Sequence, residues 1–426
     1  MKLDLYAELD WRGMVYAGTE GVREALAGAP VTAYIGFDPT ASSLHVGSLL
    51  PVMALARLQR CGHRPIAIVG GGTGLIGDPS GKAQERTLLT LEQVEANLQG
   101  IRAQLARFLD FESTAAPARI VNNADWLVGL DLMVFLRDIG KHFTVNYMLA
   151  KESVKRRLQQ DEGISFTEFS YLMLQAYDFL TLFDRYGCTL QLGGSDQWGN
   201  ITAGCDLIRK LRGVRAHGLV MPLVTTAAGV KFGKTEAGAV WLDEQRTSPF
   251  RFYQFWLNTD DRDVIAYLKY FTFLGQDEIR GLEEARAEAP EKREAQRTLA
   301  REVTRLVHGD AHVQRAEHAS SLLFGERIAE LPADEVLAVF EDVPSTEVSR
   351  ADLAGDGLGV AELLVRAALA KSRGEATRLI KGGGVYVNNR RVADERAHLG
   401  VDQAIEGRLF LLRKGARHLH LVRVAE

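Results

Sequence analysis

Five short stretches of this 426-residue chain carry residue types suited to phosphates, sugars and charged small molecules. The first is the run from Gly70 to Lys82, in which Gly72, Gly74 and Gly77 satisfy the G-x-G-x-x-G spacing of dinucleotide-binding turns. Asp78-Pro79-Ser80-Gly81 then prolongs the loop where that fingerprint needs a helix to begin. A phosphate-binding P-loop is also excluded, because Ile76 stands where its first glycine belongs and Lys82 precedes alanine. Two readings stay open: a tight turn that a ligand approaches closely, or a turn with a structural role alone.

The second stretch, Asp38 to Ser48, reads DPTASSLHVGS. A histidine and several hydroxyls ahead of a helix suit a triphosphate that meets backbone N–H groups and the positive helix end. They suit a plain N-cap as well. In the third, Tyr171, Gln175 and Asp178 fall at i, i+4 and i+7 among Leu172, Met173, Leu174, Phe179 and Leu180. Such a stripe either faces solvent or presents itself to a polar ligand, since burying it unpaired is costly. The fourth, QLGGSDQWGN from Gln191 to Asn200, sets small residues beside Asp196, a carboxylate able to accept both hydroxyls of a ribose diol. The fifth is Lys231-Phe232-Gly233-Lys234-Thr235 between Gly229 and Gly238. Two lysines on a glycine-flanked loop suit charge that develops transiently, such as a leaving pyrophosphate, although lysine pairs also decorate many solvated surfaces.

These stretches need elements to hold them. VTAYIGF, RPIAIVGG, ARIVNN, CTLQLGG and GLVMPLVT read as strands, and amphipathic helices separate them. That alternation predicts an α/β fold, a doubly wound parallel sheet with helices on both faces and ligands at the carboxyl ends of its strands. Residues 130–163 interrupt it with a helical segment of mixed charge. The expected division is a catalytic domain over 1–247, an all-helical domain over 248–330, a linker over 331–359 and a small α+β unit over 360–426. In that last unit Asn388-Asn389 reads as a turn.

Composition narrows the class. The N-terminus has no apolar core of a signal peptide, and no stretch has the length of a membrane span. Cys61, Cys188 and Cys205 stand far apart, which argues against disulfides and structural zinc. A cytoplasmic location without a membrane partner or a protein-bound metal is expected. From residue 361 onward there are 13 Lys plus Arg against 7 Asp plus Glu, whereas the rest carries 38 against 48. A basic tail on an acidic body is the asymmetry of a chain whose end meets a polyanion.

The order of the five stretches is more specific than any one of them. HVGS after the first strand and KFGKT further on resemble the HIGH and KMSKS signatures of class I aminoacyl-tRNA synthetases. The strings YIGFDPTASSLHVGS, VGGGTGLIGDPSGK, ISFTEFSYLMLQAYDF, LGGSDQWGNITAG and KFGKTE are similar to the bacterial-type tyrosyl-tRNA synthetase family. RAALAKSRGEATRLIKGGGVYVNNRRV resembles the small RNA-binding module shared with a ribosomal protein.

The resemblance implies a Rossmann-like catalytic domain, a helical anticodon-side domain and an RNA-binding C-terminal domain. It implies tyrosine, ATP with Mg2+ and tRNA(Tyr) as substrates, and a homodimer meeting its partner and the acceptor arm through 130–163. Tyr34 and Asp178 would receive the tyrosine hydroxyl; Tyr171, Gln175 and Asn123 would hold the amino-group end, with Asp78 a further anchor. Asp38 and Thr40 would lie near amino group and phosphates, and His45 near the triphosphate, with Gly36, Gly47 and Ser48 along ATP. Gly193, Asp196 and Gln197 would surround ribose and carboxylate. Lys82, Arg86, Lys231, Lys234 and Thr235 would clamp departing pyrophosphate. Ser48 stands for the second histidine of HIGH, and Phe232, Gly233 and Thr235 replace the Met, Ser and Ser of KMSKS. A tryptophan-specific relative, a nucleotidyltransferase of the same superfamily and an RNA-binding protein without catalysis are the competing expectations.

Overall fold

A computed structural model describes residues 4–80, 89–160, 163–230, 232–235, 238–324, 328–340, 343–415 and 418–425. Packing divides the chain into two compact units: Met1–Thr247 with Thr259–Val307, and Ser248–Asn258 with His308–Glu426.

In the first unit α1 (Leu5–Trp11), β1 (Ala17–Gly18) and α2 (Val22–Ala27) lead into β2 (Thr32–Phe37), α3 (Leu49–Arg60), β3 (Arg64–Val69), α4 (Leu91–Leu105) and β4 (Arg119–Asn122). Four short helices follow: α5 (Ala124–Leu127), α6 (Leu132–Asp138), α7 (Val145–Leu149) and α8 (Glu152–Leu158). Next come α9 (Phe166–Tyr186), β5 (Cys188–Gly194), α10 (Trp198–Arg212), β6 (His217–Met221) and the short pair β7 (Lys234–Thr235) and β8 (Gly238–Ala239). The chain leaves this unit for α11 (Pro249–Leu257) and returns with α12 (Val264–Phe271), α13 (Gln276–Glu288) and α14 (Glu294–His308).

The six strands run in the order β1-β6-β5-β2-β3-β4, parallel except for β1. β2 lies at the centre. β3 and β4 are added on one side of it, and β5 and β6 on the other. The direction of winding therefore reverses between β2 and β5, and a crevice opens at their carboxyl ends. Their near-continuous apolar runs match strands covered on both faces. Helix α9 begins at Ser165, whose side chain accepts the Glu168 N–H, and ends at Gly187 in the left-handed conformation with φ 62°. It packs along α10 over the sheet, with Phe179, Leu180, Leu182, Ala203, Leu207 and Ile208 buried between them.

Two buried arginines fix α12. Arg12 donates to the carbonyls of Lys269, Thr272 and Leu274 at 2.9, 3.2 and 2.7 Å, and Arg57 to those of Tyr270, Lys269 and Thr272 at 3.0, 3.1 and 2.5 Å. They satisfy carbonyls that a helix C-terminus leaves without intrahelical partners, and they place positive charge at the negative dipole end. Glu8 balances the pair, 2.6 Å from Arg12 and 4.0 Å from Arg57.

The second unit holds α11, α15 (Asp310–Phe324), α16 (Ala333–Val339) and β9 (Ser345–Ser349). These precede β10 (Leu358–Gly359), α17 (Val360–Arg366), α18 (Arg373–Lys381), β11 (Val385–Val387), β12 (Arg390–Arg391), β13 (His398–Leu399), β14 (Leu409–Lys414) and β15 (His418–Ala425). Five strands form a sheet ordered β12-β11-β14-β15-β9, and Leu363, Leu364, Ala376, Ile380, Phe410, Leu412 and Val422 fill the core between sheet and helices. Asn388 and Asn389 make the β11–β12 turn with φ 48° and 62°, the positive values that a tight hairpin requires. Part of the stretch read as a linker is regular structure here: α16, and β9 paired in parallel with β15. Seven- and five-residue elements carry little periodicity of their own.

Candidate functional site

The crevice at the carboxyl end of β2 gathers side chains from five elements. Tyr34 points from β2, flanked in register by Ile66 of β3 and Gln191 of β5. It is 1% exposed, its ring packs on Phe179 at 5.2 Å, and its hydroxyl has no hydrogen-bond partner among the described residues. Burial, then the Asp178 carboxylate, pushes its phenol well above the ordinary range, so it stays protonated.

Asp178 is 3% exposed. One carboxylate oxygen accepts the Trp126 indole N–H at 2.7 Å and the other the Asn123 amide at 2.9 Å. Burial raises its pKa to about 7; these two hydrogen bonds pull downward, and the Asp38 charge pushes upward. Asn123 also donates to Thr73 Oγ1 at 2.9 Å, and Thr73 donates to Asp38 at 2.9 Å. The other oxygen of Asp38 accepts the Tyr171 hydroxyl at 3.0 Å. One continuous chain of hydrogen bonds thus joins Trp126, Asp178, Asn123, Thr73, Asp38 and Tyr171.

The glycine run makes this chain possible. A Cβ on Gly70 would stand 2.4 Å from both Asp38 Oδ1 and Thr73 Oγ1, and one on Gly71 would stand 2.2 Å from Asn122 Oδ1. Close approach of side chains to this backbone is what the glycines permit. Gly36 shows the complementary property: it is exposed on the central strand, and no described atom lies within 4 Å of where a Cβ would be.

A second cluster joins α9 to α10 and the loop after β3. Gln197 donates to Asp78 at 2.7 Å, and the other Asp78 oxygen accepts the Ser80 N–H at 2.9 Å. Gln175 donates to Gln197 at 3.3 Å, and Asn200 donates to Gln175 at 2.9 Å and to Gln197 at 3.2 Å. The stripe of Tyr171, Gln175 and Asp178 therefore does not face solvent; two of its members are buried and all three are hydrogen-bonded into the crevice.

At the second strand-to-helix turn, His45 precedes a single turn over Val46–Ser48, and its Nδ1 accepts the Gly47 N–H at 3.0 Å. In the neutral ring this leaves the proton on Nε2, a donor suited to a phosphate oxygen. Ser48 is half-buried and caps nothing with its side chain; its N–H donates to the His45 carbonyl at 2.8 Å. Thr40 is exposed, and its N–H donates to the Asp38 carbonyl. Phe232 and Gly233 of the KFGKT stretch lie against this turn. Gly233, at φ 82°, comes so near that a Cβ would meet Val46 at 2.8 Å and the Gly47 nitrogen at 3.2 Å. Phe232 is buried beside it, stacked on Phe271 at 5.3 Å and edge-on to Tyr267 at 4.8 Å.

The structure thus brings Tyr34, Asp38, Asp78, Asn123, Tyr171, Gln175, Asp178 and Gln197 together, with Gly193 and Asp196 at the end of β5 and the following turn. Asn123, expected at the amino-group end, is bonded to Asp178. Lys82, Arg86 and Lys231 lie outside the described residues, and Lys234 and Thr235 are placed only as backbone of β7. Sequence reasoning missed Trp126, Thr73 and Asn200. The four-residue α5 that carries Trp126 has no periodicity, although an indole beside Asn123 after a strand was a usable signal.

Residues 26–325 match the family described as tRNA synthetases class I (W and Y), and residues 335–422 match the tyrosine–tRNA ligase SYY-like C-terminal domain. The chain is 59% identical over 417 residues to a tyrosine–tRNA ligase of Roseiflexus castenholzii, covering 98% of each chain. It is 55% identical to one of Geobacillus stearothermophilus, covering 99% of this chain and 100% of that one. Among solved structures, a C-terminally truncated mitochondrial tyrosyl-tRNA synthetase of Aspergillus nidulans superposes with a TM-score of 0.69 at 31% identity, covering 75% of this chain and 94% of that one. By its matched domains, its near-complete coverage of these relatives and its fold, the chain belongs to the class I tRNA synthetases of the tryptophan and tyrosine group.

Proposed function

We infer that this chain is a tyrosine–tRNA ligase whose phenol-recognising group is the pair Tyr34 and Asp178. The carrying observation is the buried Tyr34 hydroxyl, which has no described partner and lies close enough to Asp178 for that charge to raise its pKa. A substrate phenol between them donates to Asp178 and accepts from Tyr34. Phenylalanine would leave two buried polar groups unpaired, and that cost disfavours it. An indole offers one donor and no acceptor, so the Tyr34 hydroxyl would stay unmatched.

The same placement sets the amino-acid ammonium among Tyr171, Asp78, Gln175 and Gln197, and the ribose at Gly193 and Asp196. ATP enters as its magnesium complex over Gly36, with Asp38, Thr40, Gly47 and Ser48 along it and the triphosphate at His45. The tyrosine carboxylate attacks the α-phosphorus in line, the bond to the bridging oxygen breaks, and pyrophosphate leaves toward Lys82, Arg86, Lys231, Lys234 and Thr235. A terminal ribose hydroxyl of tRNA(Tyr) then attacks the adenylate carbonyl and releases AMP. No protein nucleophile is needed; alignment and stabilisation of developing charge suffice.

The tRNA is met by the basic C-terminal domain of residues 360–426, where Arg373, Arg378, Lys381, Arg390, Arg391 and Arg396 are exposed. The catalytic assignment stays with 1–247 and the anticodon-side assignment with 248–330. Among the described residues, no helix is long and apolar enough to cross a membrane. The cytoplasm is the proposed location. Leu132, Met133, Val145 and Phe166 are 61–74% exposed in and beside residues 130–163, an apolar face that suits a homodimer contact. Light scattering of the intact chain should give twice the monomer mass; a monomer mass at micromolar concentration would remove the dimer.

The test of the activity is pyrophosphate exchange into ATP with tyrosine, tryptophan and phenylalanine supplied separately. Exchange with tyrosine alone is expected. Stimulation by tryptophan, or by no amino acid, would overturn the assignment.

A further inference from the structure

Asp78 fixes more than its own surroundings. A carboxylate only accepts hydrogen bonds, so the Gln197 amide, 2.7 Å from it, must present its NH2 group there. The Gln197 carbonyl then faces the other way, toward Gln175 Nε2 at 3.3 Å and Asn200 Nδ2 at 3.2 Å. Both of those groups must donate. Gln175 has used its nitrogen, so its carbonyl is left for the Asn200 nitrogen at 2.9 Å. The orientation of each amide follows from its neighbour, beginning at the one group that cannot donate.

Asn200 is where that sequence closes. It sits in the first turn of α10, is 4% exposed, and its single NH2 group faces three oxygens: Gln175 Oε1, Gln197 Oε1 and, at 3.4 Å, Ser80 Oγ. Two hydrogens serve both glutamine carbonyls. With an acceptor in that position, two carbonyl oxygens would face a third oxygen in a buried space, and the glutamines would be driven to flip. A flipped Gln197 would turn its carbonyl toward Asp78, oxygen against carboxylate.

We propose that Asn200 is a positioning residue that sets the donor direction of Gln175 and Gln197, so that Asp78 keeps its geometry for the ammonium group of the amino acid. Asn200 acts through these three residues and does not touch substrate. The inference rests on the reading above, in which the ammonium lies at Asp78, Gln175 and Gln197. A buried amide that organises the core alone would affect all ligands of the crevice equally. One that sets the ammonium site discriminates between ligands with and without an amino group.

Two probes separate these cases: tyrosinol, which keeps the ammonium, and 3-(4-hydroxyphenyl)propionate, which lacks it. Their dissociation constants are measured by competition with tyrosine on the full-length enzyme, with thermal melting as a check on folding. Asn200→Asp is nearly isosteric and exchanges donor for acceptor; it is expected to weaken tyrosinol about tenfold or more and the deamino acid less than about twofold. Asn200→Ala, which removes the donor without adding an acceptor, should show the same selectivity at about threefold, and it carries the test if the aspartate variant fails to fold. Equal losses for both probes, or no loss for either, would overturn the positioning role. Asp78→Asn is the reference variant. If it too lacks an ammonium-selective loss, the ammonium assignment is wrong and the inference falls with it. If it has one and Asn200→Asp does not, only the role of Asn200 is wrong.

Discussion

The proposed phenol and phosphate ends of this site are built on opposite plans. At the phenol end, Asp178 sits on a 21-residue helix, is almost wholly buried, and has each oxygen held by one donor from α5 or the residue before it. At the phosphate end, His45 is half-exposed ahead of a single turn, and Gly233, next to the buried Phe232, packs against that turn. A neutral phenol is present throughout the reaction, so its partners can be fixed in a dry, rigid place. Charge on the pentacoordinate phosphorus exists only fleetingly, and loop groups meet it when it forms. The first plan invests in ground-state recognition and the second in the transition state.

The largest effect should come from breaking the rigid end. Asp178→Ala removes the proposed acceptor for the substrate, leaves the Trp126 indole without its acceptor and Asn123 with Thr73 but without Asp178, and tyrosine affinity should fall roughly 100- to 1000-fold by equilibrium dialysis. A loss below tenfold would mean the phenol is read elsewhere. At the other end the order reverses: Lys234→Ala should slow adenylate formation about 100-fold or more, and Phe232→Ala about tenfold by loosening the loop from α12, each leaving the tyrosine dissociation constant within about twofold. Pre-steady-state formation of adenylate separates rate from binding, and parallel losses would erase the contrast.

The smallest effect is a pH dependence confined to the phenol end. Asp178 must be ionised to accept the substrate hydroxyl, and its pKa in the free enzyme is about 7. Tyrosine binding should therefore tighten as pH rises from about 6 to 8 and then level off. Folding stability runs in the opposite sense. Because the folded pKa lies above the ordinary 3.8, the folded chain keeps a proton that the unfolded chain releases. The Asp178 contribution to stability of the free enzyme falls as pH rises from about 4 to about 7. A binding profile flat across pH 7 would show that the carboxylate is already ionised.

Much of this was legible from residues. The apolar runs at Thr32–Phe37, Arg64–Val69 and Cys188–Gly194 declared buried parallel strands, and the spacing of Tyr171, Gln175 and Asp178 declared one helix face. Spacing alone left open whether that face met water or a partner, because burial depends on what packs against it. Thr73 was hidden among glycines whose purpose is to let its hydroxyl reach Asp38. Asn200 was invisible for a different reason: its importance lies in partners 25 and 120 residues away in sequence. β9 escaped notice because its partner β15 lies at the far end of the chain, and five polar-rich residues form a strand only when that edge is present.

The strand order also has a consequence for synthesis. β2 pairs on one side with β3, which follows closely, and on the other with β5, which begins at Cys188. A nascent chain that has completed β4 at Asn122 therefore carries the future centre of its sheet as an open edge. Translation of the intervening residues takes on the order of several seconds. During that interval the strand bearing Tyr34 is exposed to pairing with other chains. Production of this enzyme should thus depend on elongation speed between Asn122 and Cys188, and a pause placed there should lower soluble yield more than a pause placed after Met221.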